Sequence, residues 1–406
     1  MIELLSPAGS MEKLKTAFNY GADACYFAGK KYGLRAFADN FDEDELAESV
    51  KYAHSMGKKC YITLNIIAHN SDFEGLVDYL KYLENLKVDA VIVSDLGIMQ
   101  YVKTHAPNLS IHVSTQANIT NKYSAKVFAD AGASRLILAR ELSIKEIKEI
   151  REYLPKKVEL ECFVHGAMCI SYSGRCLLSN YLSERDSNRG ACIQACRFQY
   201  SIIEKSRRTD ENVHTGGYEI QEDNRGTYIL NSKDLCMIEY LQELVDAGVT
   251  SFKIEGRMKS VYYVATVTNA YRRAIDLLQS KEKLNVNLIQ ELEKTSHRRY
   301  TSGFYFNEKN KEYLASSMTV QTHEFIALVL EDSKNGKTLI EQRNKFEVGD
   351  ELEVLSPSEN FNKIIKVETL TDENNEGITI ANQVQQKLFL KTNLKLSKGD
   401  ILRRKV

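Results

Sequence analysis

What this 406-residue chain lacks narrows its class before any motif is considered. No run approaches the roughly 18 consecutive apolar residues of a membrane-spanning helix, so no membrane partner is expected. Net charge is nearly absent: 54 Lys and Arg stand against 55 Asp and Glu, a formal −1. No global field therefore advertises a polyanionic partner, and contact with nucleic acid has to come from a local patch. The first residues, Met1-Ile2-Glu3-Leu4-Leu5-Ser6-Pro7, show no basic region followed by an apolar core, so a reducing, cytoplasmic setting is the expectation. In that setting eight cysteines read as thiols or metal ligands rather than disulfides. A Gly-x-Ser-x-Gly elbow, a His-Glu-x-x-His helix and a glycine-rich phosphate loop are all missing, which removes the most recognisable hydrolase and nucleotide-binding signatures.

What is present is a rhythm. Up to about residue 275, short β-rich runs at 3–8, 24–28, 59–65, 90–95, 110–115, 135–140, 158–165 and 251–256 alternate with stretches of helical periodicity such as 11–20, 44–56 and 73–86. Eight strands, each followed by a helix, is the count of an α/β (β/α)8 TIM-like barrel, with a doubly wound open sheet as the alternative. The seventh strand breaks the rhythm with a cysteine-bearing insertion of some sixty residues, about 166–228, inside a domain of residues 1–318. An insertion of that length in a compact domain is usually functional or disordered. From 319 to 406 short β-type runs separated by polar turns predict a small C-terminal β-barrel domain.

The strongest chemical signal is Cys169-x6-Cys176-x15-Cys192-x3-Cys196, with Cys236 forty residues on. Cys25, Cys60 and Cys162 lie inside apolar strands and read as packing. Thiolates gathered in one region repel unless a metal or cluster resolves the charge. The spacing is not the paired knuckle of a zinc ribbon, and a [4Fe–4S] cluster tolerates such irregularity. Redox disulfides and plain structural thiols are the alternatives, and which four of the five cysteines would bind stays open.

A second signal is polarity on one face of strands. Period-two alternation puts His112, Ser114 and Gln116 together, Glu159 and Glu161 with Phe163 and His165, and Lys253 with Glu255 and Arg257. Helices cover the outside of a barrel, so these faces are expected to point into the lumen. Residues at C-terminal strand ends weigh most, because active sites of this fold sit there. Asn65, Asp95, Gln116, Arg140, Glu141, His165, Glu255 and Arg257 hold such positions. Arg35, in Tyr32-Gly33-Leu34-Arg35-Ala36, joins them at the expected mouth. His165, Glu255 and Arg257 are the catalytic candidates; Arg35, Asn65, Gln116, Arg140, Glu161 and Lys253 are the substrate-binding ones. Charges of both signs suit a small anionic ligand gripped by arginine and lysine. The bland alternative is a satisfied internal network of ion pairs.

Glu161-Cys-Phe-Val-His-Gly166-Ala-Met-Cys169 followed by Ser173-Gly-Arg-Cys176-Leu-Leu-Ser179 resembles the signature of the peptidase U32 family. Glu3–Gly9, 34–36, 231–236 and 252–259 match other blocks of it, and Asn188-Arg-Gly-Ala-Cys-Ile-Gln-Ala-Cys196-Arg-Phe198 is similar to its tRNA-hydroxylating branch. The resemblance implies a barrel that makes 5-hydroxyuridine at the wobble position of tRNA, with prephenate as the source of the hydroxyl group. It also implies a [4Fe–4S] cluster on Cys169, Cys176, Cys192 and either Cys196 or Cys236. The implied partner is tRNA, with a second subunit of the same family as a further one. Local RNA candidates are Arg197, Arg207-Arg208, Arg272-Arg273, Arg298-Arg299 and Arg403-Arg404-Lys405. The family's name implies the competing reading, a collagenase-like cysteine- or metal-dependent peptidase. For that, His165 and Cys169, four apart, are the only suggestion of a nucleophile with its base.

Overall fold

The run Ala90-Val-Ile-Val93 is buried along its whole length, as a parallel strand must be when helices cover one face and a barrel interior the other. The structure, a computed structural model, describes residues 2–33, 40–198, 232–306 and 319–406. In it the expected strands appear as β1 (Glu3–Pro7), β2 (Ala24–Phe27), β3 (Lys59–Leu64), β4 (Ala90–Val93), β5 (Ser110–Val113), β6 (Arg135–Ile137) and β7 (Glu159–Ala167). A short β8 (Asp234–Cys236) precedes the last of them, β9 (Ser251–Ile254). Strands β1 to β7 pair in parallel, each with the next, and β9 pairs in parallel with both β7 and β1. The ring of eight is closed. An open sheet would leave β1 and β7 as edges, so that alternative falls away.

The sequence reading did not anticipate β8. It runs antiparallel along the end of β7, with His165 opposite Cys236, and carries β10 (Tyr300–Thr301) in parallel on its far side. Outside the ring, the helices begin where the sequence offers caps. Ser143 and Glu146 form a reciprocal capping box at Ile144–Tyr153, and Asp42 and Glu45 do the same at Glu43–Ser55. The helix Val261–Ser280, which follows β9, is buried along most of its length because it is covered on two sides.

Its second cover is the C-terminal unit. Eight antiparallel strands, from Ile364–Lys366 at one edge to Gly377–Ile378 at the other, curl around a core that includes Ile326, Leu352, Leu390 and Leu402. Tyr20, Tyr262 and Ala265 of the barrel pack with Leu355 and Ile401 of the sheet, and the Tyr20 hydroxyl donates to the Leu355 carbonyl at 2.8 Å. Arg403 is fully buried at this joint, clasping Glu291 with two bonds of 2.6 and 2.8 Å and reaching Glu353 as well. Its expected place among RNA-contacting arginines is therefore corrected: carboxylates of both units hold it inside.

Candidate functional site

The lumen is closed at its lower end by charge. Glu161, fully buried on β7, accepts from Arg135 Nη1 at 3.0 Å and from Lys253 Nζ at 2.8 Å. Arg135 also binds Glu3 and Glu159, and Tyr61 donates to Glu3 Oε2 at 2.7 Å. Burial works against the Glu3 carboxylate, but Arg135, Tyr61 and Ser251 outweigh it and hold its pKa below the usual range. Lys253 goes the other way: burial lowers its pKa although Glu161 opposes the change. This is the internal network that the sequence offers as the alternative to substrate binding for Glu161 and Lys253, with Arg135 as a further member that the alternation does not reveal.

Above that floor lies a cavity of about 210 Å³. Six of the expected residues line it: Asn65, Gln116, Arg140, Lys253, Glu255 and Arg257. Tyr26, Thr63, Phe163, Met168, Gln194 and Arg197 join them. Asn65 Nδ2 donates to Ser114 Oγ at 3.2 Å, and that oxygen accepts from the Gln116 amide, so the three are linked. Arg140 is pinned by a 2.6 Å bond to the Ala167 carbonyl and lies 5.1 Å from the centre of the Phe163 ring. Arg257 donates to Thr63 Oγ1 at 3.1 Å. The Tyr26 hydroxyl donates to the Ile254 carbonyl at 3.0 Å and reaches Glu255 Oε2 at 3.3 Å. Four cations, Arg140, Arg197, Lys253 and Arg257, and one carboxylate, Glu255, are among the lining residues, with Lys253 already paired to Glu161. Arg35 lies outside the described residues.

His165 does not line this cavity. Between Phe163 and His165 the β7–β9 register slips by one residue, so His165 pairs with Ile254 rather than with a lumen-facing position. A bulge of one residue reverses which face the following side chain takes. His165 thus turns outward, among the rings of Tyr263, Tyr271 and Tyr300, with Nδ1 3.4 Å from the Tyr271 hydroxyl. Burial first, then the nearby His297 and Lys259, push its pKa down to about 3. The expectation of a lumen-facing catalytic histidine is corrected on this point. So is its pairing with Cys169, which lines the cavity that His165 does not.

All eight cysteines are free. Cys169, Cys176, Cys192 and Cys196 line a second cavity of about 140 Å³, which shares Gln116, Arg140 and three of those cysteines with the first. The loop carrying them is drawn tightly against the barrel rim. Gly174 has φ +75°, and a β-carbon there would stand 2.2 Å from the Gln116 carbonyl oxygen. Gly166, with φ +113°, similarly lies against the Glu255 carbonyl, where a β-carbon would come within 2.6 Å. Burial raises the Cys169 and Cys196 thiols. Burial opposes the Cys176 thiolate too, yet hydrogen bonds from Ser171, the Leu178 amide and Ser187 outweigh it and lower the pKa. Among the described residues no three ligating side chains converge as they would on a single ion. Thiols alone around one cavity are the donor set of an iron–sulfur cluster or a zinc ion, so the residues present fit such a group. Cys236 stands apart: it lines neither cavity, its Sγ lies 3.8 Å from the Tyr271 hydroxyl, and burial pushes its pKa up to about 11.

The remaining arginines expected to meet RNA are mostly engaged. Arg272 binds Asp23 and Asp276, Arg273 donates to the carbonyls of Ser356, Pro357 and Ser358, and Arg298 is buried on Asp234. Arg404 binds Glu324 and Asp350. Arg207 and Arg208 lie outside the described residues. Arg197 alone of these lines the cavity, held by bonds to the Ser232 and Met168 carbonyls.

A family model described as peptidase family U32 matches residues 9–315, and one described as the peptidase family U32 C-terminal domain matches 321–403. The chain is 39% identical to tRNA hydroxylation protein P1 of Bacillus subtilis over 99% of its own length and 94% of that protein's. It is 37% identical to tRNA hydroxylation protein P of Escherichia coli, covering 93% of this chain and 91% of the other. A 23S rRNA 5-hydroxycytidine synthase of Escherichia coli is 36% identical over 75% of this chain and 45% of the synthase.

Proposed function

The chain belongs to the peptidase U32 family, and from that membership we propose that it is a tRNA-modifying enzyme, hydroxylating a wobble uridine to 5-hydroxyuridine. The observation that carries this reading is the junction of two cavities: a cation-rich pocket in the barrel mouth opens directly onto four thiols. Its relatives named for tRNA and rRNA hydroxylation supply the substrate class.

In this reading Cys169, Cys176, Cys192 and Cys196 would hold a [4Fe–4S] cluster, which when bound supplies one-electron redox exchange beside the reacting base. Lys253, Arg140 and Arg257 bind and orient the carboxylates of a small co-substrate such as prephenate. Phe163 and Met168 keep water from the reacting atoms. Replacing a ring C–H by C–OH takes two electrons from the base, so the co-substrate is proposed to give up its hydroxyl oxygen and keep the electron pair of the broken C–O bond; the ring proton leaves, and Glu255 is the carboxylate among the described lining residues that can accept it. The cytoplasm, where tRNA is, is the proposed location; no helix among the described residues is long and apolar enough to cross a membrane. Because so many arginines are tied internally, a second subunit of the same family is the partner proposed to extend the RNA-binding surface.

The test is tRNA nucleoside analysis by mass spectrometry in a strain deleted for this gene and for any family paralogue. 5-Hydroxyuridine should vanish, return with the wild-type gene, and stay at about a tenth or less with Arg257→Gln, since a charge-assisted contact is lost. Undiminished 5-hydroxyuridine in the deletion strain would end the proposal.

A further inference from the structure

The segment that carries the cysteines keeps many of its apolar side chains in water. Among the described residues twenty large hydrophobic side chains are exposed, and Tyr172, Leu177, Tyr181, Leu182 and Phe198 all fall within residues 168–198. That stretch is less than a tenth of the described residues yet holds a quarter of these side chains. Single exposed hydrophobics are ordinary on a protein surface, whereas a contiguous group marks a contact site.

The group is contiguous. The Tyr181 amide donates to the Leu177 carbonyl at 2.9 Å at the start of the short helix Leu178–Ser183, so Leu177 and Tyr181 share a face one turn apart. Tyr181 leaves 86% of its surface in water. Tyr172 and Arg175 close a tight turn, the Arg175 amide donating to the Tyr172 carbonyl at 3.0 Å. Arg175 is exposed, and its guanidinium has no carboxylate at ion-pair distance among the described residues. The frame beneath is fastened: Ser179 Oγ donates to the Arg185 carbonyl at 2.7 Å, and Ser187 Oγ and Asn188 Nδ2 both donate to the Cys176 carbonyl.

This collar begins at the edge of the site. Tyr172 lines the cysteine cavity together with Gln116 and Arg140, which line the barrel cavity as well. We propose that Tyr172, Leu177 and Tyr181 form a platform on which unpaired bases of the RNA loop stack, beside the nucleotide whose base enters the barrel, with Arg175 on a phosphate of the same strand. The inference rests on the tRNA reading and says how the loop is held. A base drawn into a cavity leaves its neighbours without a stacking partner, one nucleotide away. Aromatic faces accept any base, and a guanidinium with no acid beside it accepts phosphate. A folded protein laid over the collar would cover the mouth, whereas a single strand across the rim is what a base inside the cavity requires.

The experiment measures binding of a fluorescent anticodon stem-loop RNA to anaerobically purified full-length protein at several salt concentrations. Tyr181→Ala should weaken binding roughly five- to 150-fold, the range for one base stacked on an aromatic ring, and leave the slope of log K against log salt unchanged. Tyr181→Phe should bind as the wild type does, because the ring face is kept. Arg175→Gln should lower the slope by roughly 0.7, the value for one phosphate of a single strand. Unchanged affinity in Tyr181→Ala would overturn the proposal. So would unchanged RNA affinity together with loss of a dimer in sedimentation, because the collar would then be a protein interface. Wild-type protein that fails to bind the stem-loop would instead remove the tRNA reading itself.

Discussion

Lys253 Nζ and Glu161 Oε1 lie 2.8 Å apart on the floor of the barrel, with both side chains closed to solvent. The other oxygen of Glu161 takes Arg135, so one carboxylate holds two buried cations. Glu161→Gln would leave those cations facing each other. We expect a loss of about 3–5 kcal/mol, read from urea unfolding midpoints, as for other buried pairs deprived of one partner. A loss below about 1 kcal/mol would show that water reaches the floor and screens the pair.

His165 makes stability depend on acid. Burial pushes its folded pKa down to about 3 from the ordinary 6.5, so between those values the unfolded chain binds a proton the folded one refuses. Stability therefore falls as pH drops through that window, by at most about 1.4 kcal/mol per unit from this group. Denaturant unfolding at pH 7 and pH 5 should show a smaller acid loss for His165→Gln than for wild type. Equal losses would place the sensitivity elsewhere.

Gly174 and Gly349 both have positive φ, but only the first has a neighbour in the way. Gly349→Ala should cost only the backbone strain, about 1 kcal/mol. Gly174→Ala must also push the cysteine loop off the Gln116 carbonyl. Iron content and hydroxyuridine formation should collapse in the second variant and survive in the first.

The cysteines separate into two groups by what they line. Alanine at Cys169, Cys176, Cys192 or Cys196 should each abolish bound iron and acid-labile sulfide in protein purified without oxygen. Cys236→Ala should retain both. Loss of iron in the Cys236 variant alongside retention in the Cys196 variant would reverse the assignment of the fourth thiolate.

Arg403 closes the joint between barrel and sheet. Arg403→Ala takes both Arg403 bonds from the buried Glu291 and leaves it Lys294 at 3.0 Å as its remaining cation, and a cost of up to about 3–5 kcal/mol is expected. Arg403→Met combined with Glu291→Leu should recover most of it, since an apolar pair of similar volume replaces the ion pair. Thermal unfolding of the two variants beside wild type decides this.

Much of the scaffold was legible because a parallel barrel writes itself in short, wholly apolar runs such as Ala90–Val93. Period-two alternation was enough to bring Glu161 and Lys253 together, and five mouth residues with Lys253 into one cavity. It failed at His165, because one extra residue shifts the phase and nothing in the composition of Phe163-Val164-His165 marks the slip. β8 and β10, three and two residues long, carry too little pattern to be seen. Arg135 was passed over at the start of a three-residue strand, and Arg403 because its carboxylates are 50 and 112 positions distant along the chain. Long-range pairing of charges leaves no local trace in a single sequence.

The ionic floor of the lumen also governs traffic. With Arg135, Glu3, Glu161 and Lys253 locked across the lower end, the mouth is left as the way in. A chamber with a single door imposes a queue: the molecule that sits deepest has to arrive before the one that covers the opening, and leaves after it. If the chain acts on RNA as proposed, a small acid on Lys253 is trapped beneath it for the length of a turnover, and the departing remnant has to wait for the nucleic acid to lift away.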